Sequence, residues 1–280
     1  MNQKEKKELY LKKKKYVSSY PPLPPYIYKY CPINNNLWKN ILNNQIWFSN
    51  PTEFNDPFDC QLQIVPFENE NEKETLVNQL IEQKVIQRRD KNKFLKRKIE
   101  KFNFIIESLI NIHNSMGIAC FCLDRKYKQN EYLLLWSHYA DSHKGVRLKF
   151  NMLDNVLYMF ELNNLGDPIL NLRKVDYEKK YLILNYIRES EDFSPKLLST
   201  KSECWVYENE VRIISQKSGP VKFIKEALTE IVFGCELKPI DVDVKDIIKL
   251  VKSCNYPNVK FKQAIKCKDR FGLEFEEIKV

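Results

Sequence analysis

The chain has 280 residues, 43% of them hydrophobic and 12% aromatic, with six glycines; this suits a globular fold with a substantial core and argues against a barrel of many tight turns. Its formal net charge of +9 is localised: residues 1–15 hold seven lysines against Glu5 and Glu8, residues 72–107 hold ten basic against six acidic side chains, and the remainder is balanced. No apolar run reaches the roughly 18 residues of a membrane span, and Met1 to Lys15 is charged where a signal peptide needs an apolar stretch, so a cytoplasmic protein, or one injected into a host cytoplasm, is expected.

Residues 1–25 read as a basic arm and a connector, because Pro21-Pro22-Leu23-Pro24-Pro25 enforces an extended, polyproline-like backbone. Tyr26 to Tyr30 is β-forming, Leu37, Trp38, Ile41 and Leu42 have helical spacing, and Gln45 to Ser49 reads as a strand broken by Asn50-Pro51. The loop Thr52 to Cys60 follows. From about Glu70 to His113 two long helices are predicted, the second marked by the stripe Leu95, Ile99, Phe102, Ile106 and Leu109.

Met116 to Leu123 returns to strand, Glu131 to Ala140 reads as a short helix and Gly145 to Phe150 as a strand. Val175-Asp176-Tyr177 and a helix around Leu182 to Arg188 lead to Ser199. Trp205 to Ile214 alternates as a half-buried strand, with Val211 and Ile213 on one face and Glu208, Glu210 and Arg212 on the other. A helix running into a strand over Ile224 to Val232, a helix over Val244 to Ser253, and a β-pair from Phe261 to Cys267 and Phe271 to Val280 complete the chain. The expected class is α+β, one domain over 26–280, with a central mixed or antiparallel sheet core, surrounding helices and an inserted long α-hairpin over about 70–113.

The eight cysteines contain no C-x-x-C pair, which argues against a disulfide framework, and Cys120 and Cys122 share one strand face, where core packing outweighs metal or redox use. His138 and His143, five apart, do not stack on one helical face, so no metal grip is expected there.

Three segments concentrate candidate chemistry. In Phe54-Asn55-Asp56-Pro57-Phe58-Asp59, Asn55 and Asp56 either turn the chain by bonding their own backbone or are held rigidly as a binding loop. In Trp136-Ser137-His138-Tyr139-Ala140-Asp141-Ser142-His143, Trp136 and Tyr139 share a face as core or as a stacking surface for a flat ring. Glu208, Glu210 and Arg212 form either an ion-pair ladder or a site in which one carboxylate orients a sugar hydroxyl or a water while Arg212 sets its charge state.

Tyr28 to Tyr30, Ile46 to Pro51, Phe54 to Asp59, Gly117 to Phe121, Leu135 to Gly145, Trp205 to Arg212 and Glu230 to Gly234 together resemble the bacterial family known as domain of unknown function 2971. More distantly, Lys29-Tyr30, then Ser137-His138-Tyr139, then Glu208-Asn209-Glu210 are similar in order to the segments of ADP-ribosyltransferase domains. Those domains usually carry Arg or His where Lys29 stands. The likeness implies an NAD-using transferase that modifies a macromolecular acceptor, protein or nucleic acid, as a toxin, effector or anti-phage defence factor. It also implies residue roles: Glu210 and Glu208 with Tyr139 and His138 in catalysis, and Lys29, Tyr30, Asn55, Asp56, Trp136, Ser137, His143 and Arg212 around the substrate. Glu210→Gln is then expected to abolish NAD turnover with the fold intact.

Two other classes stay open. In a nucleic-acid-binding protein or nuclease of a defence system, the basic arm and hairpin would hold phosphates while Asp56, His138, His143, Glu208 and Glu210 do acid–base or metal chemistry. A non-catalytic interaction module would use the charged ladder as a surface and have no pocket beside Glu210.

Overall fold

Val146, Leu148 and Phe150 are buried and alternate with half-buried Arg147, Lys149 and Asn151, the period-two pattern of a strand with one face in a core. The computed structural model that contains this strand describes residues 25–123, 132–152, 160, 170–188, 193–237 and 244–279; most of the basic arm and connector lies outside them.

In chain order the strands are β1 (Tyr26–Cys31), β2 (Gln45–Phe48), β3 (Gln63–Val65), β4 (Gly117–Leu123), β5 (Val146–Asn151), β6 (Leu170–Lys174), β7 (Asp176–Glu178), β8 (Ile183–Asn185), β9 (Thr200–Ser202), β10 (Glu210–Ser215), β11 (Gly219–Lys222), β12 (Leu228–Phe233), β13 (Lys260–Lys266) and β14 (Leu273–Glu277). The helices are α1 (Asn35–Leu42), α2 (Glu70–Glu82), α3 (Lys91–Leu95), α4 (Asn103–Asn114), α5 (Tyr132–Tyr139), α6 (Phe193–Ser199) and α7 (Val244–Ser253).

Eight strands form one mixed sheet in the order β14-β13-β12-β5-β1-β4-β10-β6, antiparallel except for the parallel pair β12–β13. The α+β class is therefore as expected. One face packs Ile27, Phe121, Leu148, Phe150, Val211 and Ile231 against Leu37 and Ile41 of α1 and Ile247 and Val251 of α7. Another cluster joins Trp136 and Ala140 to Val232, Ala264 and Leu273. The pairing of β1 is uneven: six residues match β5, but only Ile27 and Tyr28 match β4, opposite Leu123 and Cys122. The sheet thus opens between β1 and β4 beyond Tyr28.

The segment from 70 to 114 differs from the predicted pair of long helices. It forms α2, α3 and α4, with 3-10 turns at Arg88–Asp90 and Ile99–Phe102. The break lets Phe102, fully buried, meet Phe67 at 5.1 Å and join Leu76, Val77 and Leu80 in a satellite core. It also interrupts the basic run from Lys91 to Lys101, whose like charges three and four apart would repel on one continuous helix.

Two further segments depart from expectation. Ile183–Asn185 is a strand rather than helix, parallel to β3, because the Asn185 side chain accepts from the backbone of Ile187 and Arg188 and turns the chain there. Trp205 to Glu208 belongs to a 3-10 helix, Glu203–Glu208, so the predicted strand begins only at Glu210.

After α5 the chain turns through Asp141, Ser142 and His143, all left-handed at φ 46, 51 and 68. The turn is clamped by Gly145 N–H to Ala140 O at 2.7 Å and Glu236 N–H to His143 O at 3.0 Å. Gly234 passes so close that a Cβ there would overlap the His143 carbonyl oxygen. Gly234→Ala is expected to lower stability by about 1–3 kcal/mol, the usual range for overpacking against fixed neighbours. A thermal midpoint equal to that of the unmodified protein would show that the turn yields freely.

Candidate active site

Glu210 opens β10, and Arg212 lies two residues on; the two face Cys122 and Cys120 across β4. Arg212 is completely buried, which is costly for a cation unless every donor is used. Its Nε donates to Glu210 Oε1 at 2.8 Å, Nη2 to Asp59 Oδ2 at 2.7 Å and Nη1 to the Leu198 carbonyl at 2.9 Å. Lys201 of β9 is the second buried cation. Its Nζ lies 2.7 Å from Glu208 Oε2, 3.3 Å from Glu210 Oε2 and 3.6 Å from Asp59 Oδ2.

Three carboxylates therefore share two cations, with Tyr139 Oη donating to Glu208 Oε1 at 2.5 Å and Tyr177 Oη accepting the Glu210 N–H at 2.8 Å. Asn209 makes the sharing possible. At φ 45 it is left-handed, a conformation that Asn tolerates better than most residues, and it joins the 3-10 helix to β10 so that the carboxylates on either side meet one ammonium.

The two glutamates are driven apart electrostatically. Burial pushes Glu210 up, but Arg212 and Lys201 outweigh it and hold its carboxyl at about 2. Burial also raises Glu208, and there the opposing pull of Lys201 does not overcome it. Lys201 itself is discouraged from charging by burial, yet Glu210, Glu208 and Asp59 raise it above an ordinary lysine. Carboxylates of divergent acidity in one site are the usual arrangement for acid–base work.

The sign for stability follows. Glu210, depressed from 4.5 to about 2, contributes fully above pH 4.5 and loses its contribution as the pH falls toward 2. Glu230, where burial is outweighed by Lys262 and Arg147, has the same sign; raised Glu208 has the opposite sign, and its effect fades as the pH falls below 4.5. The urea midpoint is thus expected to fall steadily from pH 4.5 to 2, and a flat or rising midpoint there would contradict the depressed Glu210.

A cavity of about 580 Å³ lies against this cluster, where β1 and β4 part. β1 contributes Tyr28, Lys29 and Tyr30; β4 contributes Cys120, Phe121 and Cys122; α5 and its turn contribute His138, Tyr139 and Asp141. Phe54, Asn55 and Asp59 line it from the loop after β2, and Lys201, Glu208 and Glu210 from the charge cluster. Lys29 Nζ reaches the Cys120 carbonyl at 3.1 Å. His138 Nδ1 lies 2.9 Å from Tyr207 Oη, so α5 grips the 3-10 helix at two points, this one and Tyr139 to Glu208. Burial raises the Cys120 and Cys122 thiols, keeping them neutral. Among the described residues no three His, Cys, Asp or Glu side chains are arranged to share a metal ion.

Of the residues singled out in the sequence, Lys29, Tyr30, Asn55, His138, Tyr139, Glu208 and Glu210 converge on this cavity. Five do not line it. Trp136 is fully buried, edge-on to Tyr30 at 5.3 Å and stacked on His143 at 6.2 Å, so it has no face left for a substrate ring. Ser137 Oγ is occupied by the Leu133 carbonyl and His143 Nε2, both at 3.0 Å. His143 borders a different cavity, near Cys235 Sγ at 3.8 Å. Asp56 takes the turn-making role, Oδ1 accepting the Phe58 N–H at 2.9 Å. Arg212 supports the carboxylates from beneath.

Asp59 and Lys201 were missed as site residues. Asp59 ends the loop already noted, and its burial next to exposed Phe58 is the signal that only folding supplies. Lys201, in the polar run Ser199-Thr200-Lys201-Ser202, carries no local mark of a buried cation.

Residues 135–213 match the model of the family described as protein of unknown function (DUF2971). The matched stretch contains α5 from Leu135 onward, the left-handed turn, Lys201 and the Glu208 to Arg212 segment, whereas the resembling motifs before 135 and after 213 fall outside it. No curated protein and no solved structure matches the chain. Among the described residues no helix is long and apolar enough to cross a membrane.

Proposed function

We propose that this cavity is the active centre of an ADP-ribosyltransferase-like enzyme that takes NAD as its substrate. The observation that carries the reading is that Glu208 and Glu210 share Lys201 at one wall of a cavity whose other walls hold Lys29, Tyr30 and Tyr139. These are the three segments of the distant resemblance, in the same order. An interaction module built on an exposed ladder fits poorly, since both glutamates are only 3% exposed and border a cavity. The cavity volume falls within the roughly 300–1,000 Å³ typical of small-ligand sites.

In this reading the glycosidic bond between nicotinamide and ribose C1′ breaks, and its electron pair leaves with nicotinamide, which departs neutral. The positive charge developing at C1′ is stabilised by the carboxylates, Glu210 being the one whose ionised form Arg212 and Lys201 favour. Water or an acceptor then gives an electron pair to C1′ and releases a proton to Glu208, whose raised basicity suits that task. In this reading Lys29 would meet a phosphate, and Tyr139, which lines the cavity where Trp136 does not, would be the ring beside nicotinamide. Toxin, effector or defence activity would follow from NAD consumption or acceptor modification by this step.

The test is incubation of the purified protein with NAD, with and without cell lysate, while released nicotinamide is quantified. Time-dependent release that depends on Glu208 is expected. Absence of release under both conditions removes the proposal.

A further inference from the structure

A second cavity, of about 390 Å³, lies beside the first, and Lys201 lines both. Lys201 is common to both linings: its ammonium pairs with Glu208 and Glu210 of the first cavity and lies 4.8 Å from the Trp205 ring, which lines the second. The rest of the second cavity carries Phe58 and Tyr181, which are 62% and 44% exposed. Phe58 is not a loose side chain. Asp56 fixes its backbone N–H, and the next residue, Asp59, is tied to Arg212, so the ring is presented outward from a pinned loop. Lys179 and Lys180 precede Tyr181 on the same wall, while Asp56 and Glu178 add carboxylates.

Aromatic rings kept exposed beside lysines form the arrangement on which nucleic-acid bases stack while phosphates meet cations, and carboxylates accept from the exocyclic amines of bases. The volume suits one nucleotide, not a folded protein segment. We propose that this second cavity is the acceptor subsite and that it takes a nucleotide, either free or in a single strand, with the base on Phe58 and Tyr181 and the phosphate toward Lys179 and Lys180. As an acceptor subsite it rests on the transferase reading. A base or sugar nitrogen or oxygen would enter beside Lys201, bond to C1′ as nicotinamide leaves with its electron pair, and pass its proton to Glu208.

The test omits NAD. AMP and CMP are titrated calorimetrically into the full chain, and a fluorescein-labelled ten-nucleotide adenine single strand is followed by anisotropy. Saturable binding is expected, weakened about tenfold by either Phe58→Ala or Tyr181→Ala, in line with the usual contribution of one stacking ring. Both side chains are exposed, so the variants are expected to fold, and Phe58→Trp should restore binding. Phe271→Ala, which removes an 86% exposed ring elsewhere, should leave it unchanged.

Mononucleotide binding that the ring variants weaken identifies a free nucleotide as the occupant, and binding of the strand alone that they weaken identifies nucleic acid; either supports the proposal. No saturable binding of either, or binding that survives both ring variants, overturns it; loss of such binding in Lys29→Ala would assign it to the first cavity. Modification confined to protein in the lysate experiment also overturns it. Nucleotide binding without nicotinamide release would keep the subsite and discard the transferase, and release without nucleotide binding would do the reverse.

Discussion

Arg212→Met is expected to destabilise the protein by about 3–5 kcal/mol, the range found when one partner of a buried ion pair is removed. The side chain is fully buried, and its loss leaves Glu210 and Asp59, themselves 3% and 6% exposed, with Lys201 as the remaining cation. Against a typical stability of about 5–15 kcal/mol this is a large share. Arg212→Lys should recover little, because an ammonium cannot reproduce the fork that spans Glu210, Asp59 and the Leu198 carbonyl. Removing a carboxylate together with the cation should cost less than the two single changes summed, as is usual within one network. A urea midpoint shift worth under about 1 kcal/mol for Arg212→Met would mean that the network contributes little and that water reaches it.

Under the transferase proposal, Glu208→Gln is expected to lower NAD turnover by about a hundredfold or more, the scale on which a positioned acid–base group acts, with a smaller loss of stability than Arg212→Met because Lys201 keeps Glu210 and Asp59 as partners. Its carboxyl is the one that burial already biases toward the neutral form, and glutamine keeps the shape and an acceptor for Tyr139. Glu210→Gln is a poorer probe than the sequence suggested. That change strips the charge from the carboxylate paired to Arg212, so lost activity and a damaged fold would arrive together. Wild-type turnover in Glu208→Gln, with the Lys201 contact verified, would take this carboxylate out of the mechanism.

Local pattern made much of the framework legible. The alternation over Val146 to Asn151, the amphipathic run of α7 and the terminal pair β13–β14 all appear where periodicity places them, because side-chain period reports which face of an element is apolar. The Glu208, Glu210 and Arg212 pattern likewise marked a charged cluster, although Asn209 divides it between a 3-10 helix and a strand.

What periodicity cannot encode is the partner of a charge or the far side of a ring. Asp59 and Arg212 are 153 residues apart, and Lys201 is a polar-segment lysine until β9 carries it beneath the carboxylates. Trp136 and Tyr139, equal candidates on one helix, are separated by a difference in direction: the first faces the core around Val232, and the second faces Glu208. The amino-acid order determined the elements and the residue types that could do chemistry, since both follow from local geometry. Tertiary contact decided which of those residues meet, because burying a charge is tolerable only where distant segments supply its counter-charge.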